Sequence, residues 1–254
     1  MTNDLTIIIP TRDEEDSIAE LLRRIEEVTD GLRAEVIVVD DSDDDTERRA
    51  RSMAEASALP ISVVHRDSDQ RWGGLGGAVC DGLSAADSPW VVVMDGDLQH
   101  PPQVIPKLYR RAKESGADVV VASRYVEGGN ADGLAGYFRR GVSRSSVLLT
   151  RAMFPRRLRR CSDPMSGFFL LRRTAVDIDA LAPRGYKILL EILVRHRLDV
   201  TEVPFRFADR TAGRSKAGAV EGVRFLRQLG GLRLAAGDTR RAGQLGPAPA
   251  SPRA

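Results

Sequence analysis

Short apolar runs alternate with helix-compatible segments through the first half of the chain. Runs rich in valine and isoleucine predict strands at 5–9, 36–39, 61–64, 90–94 and 119–122. The segments between them predict helices at 18–28, 46–58 and 75–86, and a further helix opened by Pro101 and Pro102. We expect Asp16 or Ser17 to cap the first helix. This alternation predicts an α/β fold with a mostly parallel sheet, flanked by helices and joined by right-handed crossovers.

The pattern loosens beyond Ser123. A basic helix is predicted at 137–153, strands at 168–171 and 200–207, and helices at 187–197 and 220–236, the last one amphipathic. The stretch 237–254 is rich in proline, alanine and glycine, which is typical of a disordered tail. We therefore expect one domain over residues 1–236 and a disordered tail at 237–254.

The composition sets limits on the class of protein. The 254 residues are 42% hydrophobic and 29% charged, with a net charge of +2, which fits one large soluble domain and not a general polyanion binder. Two cysteines and three widely separated histidines exclude a Cys/His zinc cluster and a disulfide-rich scaffold. The N-terminus has no signal-peptide pattern, and no apolar run approaches the roughly 18 residues of a spanning helix. These features favour a cytoplasmic protein.

Carboxylates gather where three of the predicted strands end. The first strand runs into Pro10-Thr-Arg-Asp-Glu14, the second into the acidic stretch 40–45, and the fourth into Asp95-Gly-Asp97. Ligands of open parallel sheets bind outside the carboxyl ends of the strands, and clustered carboxylates repel one another without a cation. Oxygen ligands from Asp97 and Gln99 would suit Mg²⁺ or Mn²⁺. The alternative is that the aspartates only cap a turn.

A series of motifs gives the chain a family resemblance. In order they are PTRDEE, VVDDSDDDT, GLGGA, DGDLQHPP, SRY, DPMSGFF, GYKILLE and RTAGRSK. This order resembles family 2 glycosyltransferases of the GT-A fold, and within them the dolichol-phosphate (polyprenol-phosphate) mannose synthases. The resemblance covers about residues 4–236. DGDLQHPP and RTAGRSK are its more specific motifs, whereas GLGGA alone is not specific and is not followed by the lysine of a Walker motif.

The resemblance implies a set of residues for the nucleotide-sugar donor. Asp95, Asp97 and Arg124 would be the catalytic residues, with Asp97 and Gln99 holding the metal that bridges the diphosphate. The remaining donor contacts would come from Pro10, Arg12, Glu14, Val39, Asp41, Gly96, Arg210 and Lys216. Arg12 stands where many relatives have an aromatic residue, although a guanidinium also stacks on rings. The acidic loop at 40–46 is one residue shorter than the D-D-G-S-x-D-G-T pattern that is usual in the family.

The resemblance also implies the acceptor. Arg139, Ser143 and Lys187, with Arg124 shared, would bind the phosphate of a polyprenyl or dolichyl monophosphate. Such a phosphate has a second pKa of about 6 and is already a nucleophile at neutral pH, so the reaction needs no catalytic base. We therefore interpret His100 either as structural or as a residue that supports the site residues without touching the substrate. Direct attack on GDP-mannose would invert the anomeric carbon and give a β-linked product if the donor is α.

An arginine-rich segment at 137–160 carries eight arginines and no acidic residue. Phe138, Val142, Leu149 and Met153 add an apolar stripe at helical spacing, and a basic amphipathic helix of this kind indicates a membrane surface. The alternative is a helix docked on the domain with solvated arginines. The expected location is the cytoplasmic face of a membrane, reached peripherally or with a separate membrane subunit.

Two other functions are compatible with parts of the sequence. A polyprenyl-phosphate glucosyltransferase using UDP-glucose would share the fold and the metal. A non-enzymatic nucleic-acid binder would use the arginine-rich segment. Against it, the acidic strand ends would repel phosphates, and the segment does not interleave aromatic platforms with its arginines. We therefore expect no nucleic-acid partner.

Overall fold

The fold is taken from a computed structural model, which describes residues 3–130, 137–183, 187–208, 225 and 227–233, with the backbone alone for 137–144. The strands are β1 (Leu5–Thr11), β2 (Ala34–Asp40), β3 (Ile61–His65), β4 (Trp90–Val93), β5 (Val119–Ser123), β6 (Phe169–Arg172) and β7 (Val200–Pro204). The helices are α1 (Ile18–Thr29), α2 (Thr46–Ala56), α3 (Gly74–Ala85), α4 (Ile105–Ser115), α5 (Tyr137–Met153) and α6 (Ile188–Arg195). Residues 227–233 are also helical.

The strands form one seven-stranded sheet in the order β3-β2-β1-β4-β6-β5-β7. All neighbouring pairs are parallel except those of β6, which runs antiparallel to β4 and to β5. The predicted α/β fold with a mostly parallel sheet is therefore confirmed. The reversal of β6 was not predicted, because its apolar run indicates a buried strand without indicating its direction.

Helices cover both faces of the sheet, and alternate strand residues point to opposite faces. Ile8, Val91 and Val121 belong to the core on the side of α3 and α6. Ile7, Val92 and the apolar residues of α1 and α4 form the core on the other side. Burial on both faces explains why these strands are uninterrupted apolar runs.

Several predicted boundaries were wrong. β1 continues through Pro10 to Thr11, where only β2 still flanks it, because the pairing with β4 ends at Ile8. A proline is tolerated at such an unpaired strand edge, since it has no N–H to donate. β7 ends at Pro204, followed by an isolated bridge between Asn130 and Arg206, instead of running to 207. β3 is a half-exposed edge strand.

The N-cap of α1 and the ends of two helices also differ from the prediction. Ser17 occupies the N-cap of α1 but makes no capping hydrogen bond there. α2 ends at Ala56 and α6 at Arg195, earlier than predicted. The predicted tail at 237–254, most of the predicted helix at 220–236 and the site residues Arg210 and Lys216 lie outside the described residues. Among the helices the structure does describe, none is both long and apolar enough to cross a membrane.

Candidate active site

The loops after β1 and β2 are tied together by a buried carboxylate. Asp40 is fully buried and accepts hydrogen bonds from Thr11 Oγ1 at 2.7 Å and from the hydroxyl of Ser42. Ser42 Oγ in turn accepts from the backbone N–H of Asp13, whose φ of +54° lies in the left-handed region. Nδ1 of His65 lies 2.9 Å from Asp40 Oδ2. Asp40 therefore links the loops that follow β1 and β2 at the carboxyl ends of these strands.

The next aspartate, a predicted donor contact, is held by an arginine that the sequence analysis missed. Arg66 donates to both oxygens of Asp41, at 2.7 and 2.6 Å, and to Asp81 Oδ2 at 3.0 Å. Burial lowers the pKa of Arg66, but its hydrogen bonds with Asp41 outweigh that effect and the net shift is upward. Arg66 directly follows β3, and Asp41 directly follows β2 at the same edge of the sheet. This shared position is the sequence feature that could have indicated the pair.

Arg66 also holds the glycine-rich turn that opens α3. Its guanidinium donates to the carbonyls of Trp72 and Gly74, at 3.3 and 3.0 Å. Gly73 and Gly74 both have φ near +60°, at +65° and +57°. A Cβ on Gly77 would lie 1.9 Å from the carbonyl oxygen of Trp72. Gly73 and the glycines of GLGGA thus allow a tight backbone turn at the start of α3.

The turn after β4 presents the two aspartates of the D-G-D motif. Leu98, at φ +62°, lets the chain reverse, and the backbone N–H of Gln99 donates to Asp97 Oδ1 at 3.1 Å. The hydroxyl of Ser17 donates to the carbonyl of Gly96 at 2.8 Å, which explains why it does not cap α1. The side-chain amide nitrogen of Gln99 donates to Ala208 O at 3.2 Å, so the amide oxygen is the end that can bind a cation.

The donors at this turn fit a hard divalent cation. Asp97 and Gln99 supply carboxylate and amide oxygens, and both are partly exposed at the strand end. No group of three or more His, Cys, Asp or Glu side chains suited to a metal exists within the described ranges. Mg²⁺ and Mn²⁺ are commonly held by one or two protein oxygens, with substrate phosphates and water completing the shell. The residues present therefore suit a metal shared with a diphosphate.

His100 is a buried residue that supports the D-G-D turn. It is buried, stacks on Phe168 with ring centroids 5.1 Å apart, and accepts a hydrogen bond at Nδ1 from the backbone N–H of Asp95 at 3.0 Å. Burial lowers the pKa of His100 to about 4, so the ring is neutral at physiological pH. Its role is to hold the backbone of Asp95 at the end of β4.

Arg124, a predicted catalytic residue, is paired with a carboxylate from the DPMSG motif. Its Nε and Nη2 donate to Asp163 at 2.7 and 2.8 Å, and its backbone N–H donates to the same carboxylate at 3.2 Å. Burial lowers the pKa of Arg124, but the hydrogen bonds that Arg124 donates to Asp163 outweigh that effect and the net shift is upward. Asp163 is fully buried and was not predicted as a site residue, although its motif was recognised.

Lys187 joins the same cluster. Its Nζ donates to the carbonyl of Met165 at 3.1 Å. Burial and the nearby charge of Arg124 lower the pKa of Lys187 to about 8, although Asp95 and Asp163 oppose that shift. A Cβ on Gly167 would lie 2.9 Å from Asp95 Oδ2, so the D-G-D turn packs closely against the DPMSG motif. The predicted acceptor cation Lys187 thus lies beside the predicted donor residues.

The other predicted donor residues lie on the same edge. Pro10 and Val39 are buried and paired in register across β1 and β2. Arg12 is exposed, and Glu14 is partly buried, with its backbone N–H donating to Thr46 Oγ1 at 2.9 Å. The side chains of Arg139 and Ser143, which belong to α5, are outside the described residues, as are Arg210 and Lys216. Their predicted roles stay predictions.

Comparison with known proteins adds to this geometry. The model of "Glycosyl transferase family 2" matches residues 6–178. The chain is 39% identical over 89% of its length to a dolichol-phosphate mannosyltransferase of Pyrococcus furiosus, and spans 62% of that relative's length. It is 30% identical to the enzyme of the same name from Saccharomyces cerevisiae, covering 90% of this chain and 86% of the relative.

Solved structures share the fold. Glucosyl-3-phosphoglycerate synthase from Mycobacterium tuberculosis, solved with Mn²⁺, UDP and glucosyl-3-phosphoglycerate, matches with a TM-score of 0.67 at 24% identity, covering 92% of this chain and 80% of that one. At this identity the likeness concerns the fold. Together with the family match, the arrangement of the sheet and its carboxylate edge shows that the chain is a glycosyltransferase of family 2 with the GT-A fold.

Proposed function

We propose that this chain transfers mannose from GDP-mannose to a polyprenyl or dolichyl monophosphate and inverts the anomeric carbon. The observation that carries the proposal is the 39% identity over 89% of the chain to a dolichol-phosphate mannosyltransferase. The relatives from Mycosarcoma maydis and Saccharomyces cerevisiae bear the same name and support the same substrates. Because the alignment spans 62% of the Pyrococcus furiosus relative, the activity of the whole relative is carried over here as a proposal.

The donor would lie along the carboxylate edge. Asp41, held by Arg66, and Glu14 would contact the ribose and base, while Pro10, Val39 and the exposed Arg12 would line the base pocket. Asp95 and Gly96 would contact the nucleotide, and Asp97 and Gln99 would hold Mg²⁺ or Mn²⁺ against the diphosphate. When bound, that cation offsets the negative charge that develops on the leaving diphosphate. Arg210 and Lys216 are proposed to bind the same phosphates.

The acceptor would enter beside Lys187 and Arg124. A lipid monophosphate is largely dianionic at neutral pH, so its oxygen can attack without losing a proton to the enzyme. The task of the protein is to bring two anions together, which requires cations at the meeting point. Lys187 and Arg124 satisfy that requirement, and Arg139 and Ser143 are proposed to complete the phosphate site.

The face formed by α5 and the following turns would meet the membrane. Leu148 is 68% exposed and Leu149 41% exposed. The exposed arginines nearby are Arg151, Arg156, Arg159 and Arg160. Apolar side chains flanked by arginines suit an anionic lipid surface, where each cation contributes about 1 kcal/mol of binding. We propose peripheral attachment at the cytoplasmic face, alone or with a separate membrane subunit.

The donor assignment is tested by offering nucleotide sugars one at a time. Purified protein is given GDP-mannose, UDP-glucose or UDP-galactose with polyprenyl phosphate and either Mg²⁺ or Mn²⁺, and the lipid products are separated by mass spectrometry. A mannolipid formed from GDP-mannose supports the proposal. A glucolipid formed only from UDP-glucose would replace it with the glucosyltransferase alternative, which shares the fold and the metal.

The division between donor and acceptor sites is tested with four alanine variants. Arg139→Ala and Lys187→Ala should keep near-normal nucleotide-sugar affinity in calorimetric titration but lose transfer by about one to two orders of magnitude, as expected for a lost charge-assisted hydrogen bond. Arg210→Ala and Lys216→Ala should weaken donor binding. Equal loss of donor affinity in all four would mean that the residues form one shared phosphate pocket.

A further inference from the structure

A carboxylate on β7 supports the turn that carries Asp163. Glu202 Oε1 accepts hydrogen bonds from the backbone N–H of Ser162 at 2.9 Å, from Ser162 Oγ at 2.9 Å and from the backbone N–H of Asp163 at 3.3 Å. β7 pairs with β5 in a parallel register that places Glu202 opposite Val121, close to where β5 ends and Arg124 follows. Neither the sequence motifs nor the proposed substrate contacts include Glu202.

The turn that Glu202 holds determines where the guanidinium of Arg124 lies. Asp163 is fully buried, and its carboxylate receives the Nε, the Nη2 and the backbone N–H of Arg124. A guanidinium paired through two parallel hydrogen bonds has its plane set by the carboxylate. Any shift of the backbone at Asp163 would therefore move the charged group of Arg124.

Further hydrogen bonds link the residues on either side of Arg124 to the same turn. The hydroxyls of Ser162 and Ser123 are 2.8 Å apart, and Ser123 Oγ accepts from the backbone N–H of Tyr125 at 3.2 Å. The residues before and after Arg124 are thus linked to the same turn that Glu202 supports. Hydrogen bonds therefore connect β7 to Arg124 without a break, through Ser162 and Asp163.

Position matters here because Arg124 is proposed to lie between two anions. A cation stabilises developing charge only if it already lies where the charge appears, and a displacement of about 1 Å can cost about a hundredfold in rate. Arginine side chains are long, and their free rotation would spread the charge over several positions. A carboxylate that fixes the partner of Arg124 reduces that spread.

We infer that Glu202 is a positioning residue, which acts on the transfer reaction by holding Asp163 so that Asp163 orients Arg124. The inference rests on the proposed function for the role of Arg124 in transfer, while the link between Glu202 and Arg124 rests on geometry alone. The two can therefore be measured separately.

The kinetic test is a double-mutant cycle. Glu202→Ala should lower kcat/KM for the lipid phosphate by about ten- to a hundredfold. Glu202→Gln should recover most of that loss, since an amide oxygen still accepts from the two backbone N–H groups. In an Arg124→Ala background, Glu202→Ala should have no further effect, because it acts only through Arg124. Equal losses in both backgrounds would overturn the inference.

The control is Thr201→Ala. Thr201 is the preceding residue on β7, and its hydroxyl accepts from Arg111 at 3.2 Å, away from the Asp163 turn. It should leave kcat/KM within about twofold of wild type. If Glu202→Ala does not fold, Ser162→Ala gives the same comparison with a smaller expected loss of kcat/KM. This variant removes the hydroxyl contacts to Glu202 and Ser123 and leaves the backbone hydrogen bonds. No difference between Ser162→Ala and Thr201→Ala would contradict the inference.

The geometric link is tested without any assay of transfer. The Arg124 Nε–H can be followed by ¹⁵N-edited NMR and identified by its loss in Arg124→Lys. Bonded to buried Asp163, its proton should exchange slowly with water in wild type and in Thr201→Ala, and at least tenfold faster in Glu202→Ala. Unchanged exchange in Glu202→Ala would refute the positioning role. If exchange accelerates but the wild type forms no glycolipid from any donor, the positioning link stands and the proposed function fails.

Discussion

Replacing Arg66 by alanine removes the group on which the end of β2 and the glycine-rich turn both depend. The side chain of Arg66 is 4% exposed and that of Asp41 is 5% exposed, so the pair is shielded from water. The same guanidinium donates to Asp81, Trp72 O and Gly74 O. Arg66→Ala would leave the carboxylate of Asp41 buried without its cation and two carbonyls without their donor.

The magnitude follows from that burial. Removing one partner of a buried ion pair costs about 3–5 kcal/mol, mostly because the other charge is left uncompensated. For a chain of this size each kcal/mol corresponds to about 2–4 °C, so the unfolding temperature should fall by about 6–20 °C. Arg48 provides a matched control, because it also pairs with an aspartate, Asp45, but at the surface with side chains 69% and 51% exposed. Arg48→Ala should leave the unfolding temperature unchanged.

The assay is thermal unfolding followed by circular dichroism, with donor affinity measured by calorimetry below the transition of the variant. Arg66→Ala should also weaken binding of the nucleotide sugar, since Asp41 loses its fixed orientation. Arg66→Lys should recover part of the stability but not the paired hydrogen bonds. An unfolding temperature for Arg66→Ala within about 2 °C of wild type would refute the reasoning from burial.

Three further perturbations test the rest of the site. Asp97→Ala should abolish transfer with an unchanged unfolding temperature. Gln99→Ala should only raise the metal concentration needed for half-maximal rate. Full activity of Asp97→Ala at limiting metal would refute the metal assignment. Lys187 is cationic below its pKa of about 8, so kcat/KM for the lipid phosphate should fall as pH rises through about 8. Lys187→Arg should move that decline to higher pH, and an unmoved decline would show that another group causes it. Gly167→Ala should reduce transfer, because its Cβ would lie 2.9 Å from Asp95 Oδ2. Gly230→Ala should not, because a Cβ there would have no atom of the described residues within 4 Å.

The strands could be predicted because most of them are buried on both faces, so their apolar character is uninterrupted. Ile7 and Ile8 point to opposite cores, and both are fully buried. A run of this kind shows neither helical nor alternating periodicity, and it therefore indicates a strand that is buried on both faces. Boundaries were less accurate where polar residues remain in a strand, as at Thr11, which stays in β1 because β2 continues beside it. The direction of β6 depends on the path of the chain after β5, which hydrophobic periodicity does not encode.

The site could be predicted as a set of motifs but not as a set of contacts. The motifs place Asp41, Arg124 and the D-G-D turn at strand ends, and the structure brings those ends to one edge. Their partners are distant in sequence: Arg66 is 25 residues from Asp41, and Asp163 is 39 residues from Arg124. An ion pair across such a separation leaves no periodic trace, so these partners become visible only when the fold is known.

In the proposed function, the carboxylate edge and the nearby cations bring a nucleotide-sugar diphosphate and a lipid phosphate together for direct displacement. The most direct measurement is the identity and anomeric configuration of the product formed from GDP-mannose and polyprenyl phosphate in lipid vesicles, determined by NMR. We expect a β-linked mannosyl phosphate of the polyprenol, whose formation requires a divalent cation and is lost in Asp97→Ala. An α-linked product, or undiminished transfer in the presence of excess chelator, would contradict it.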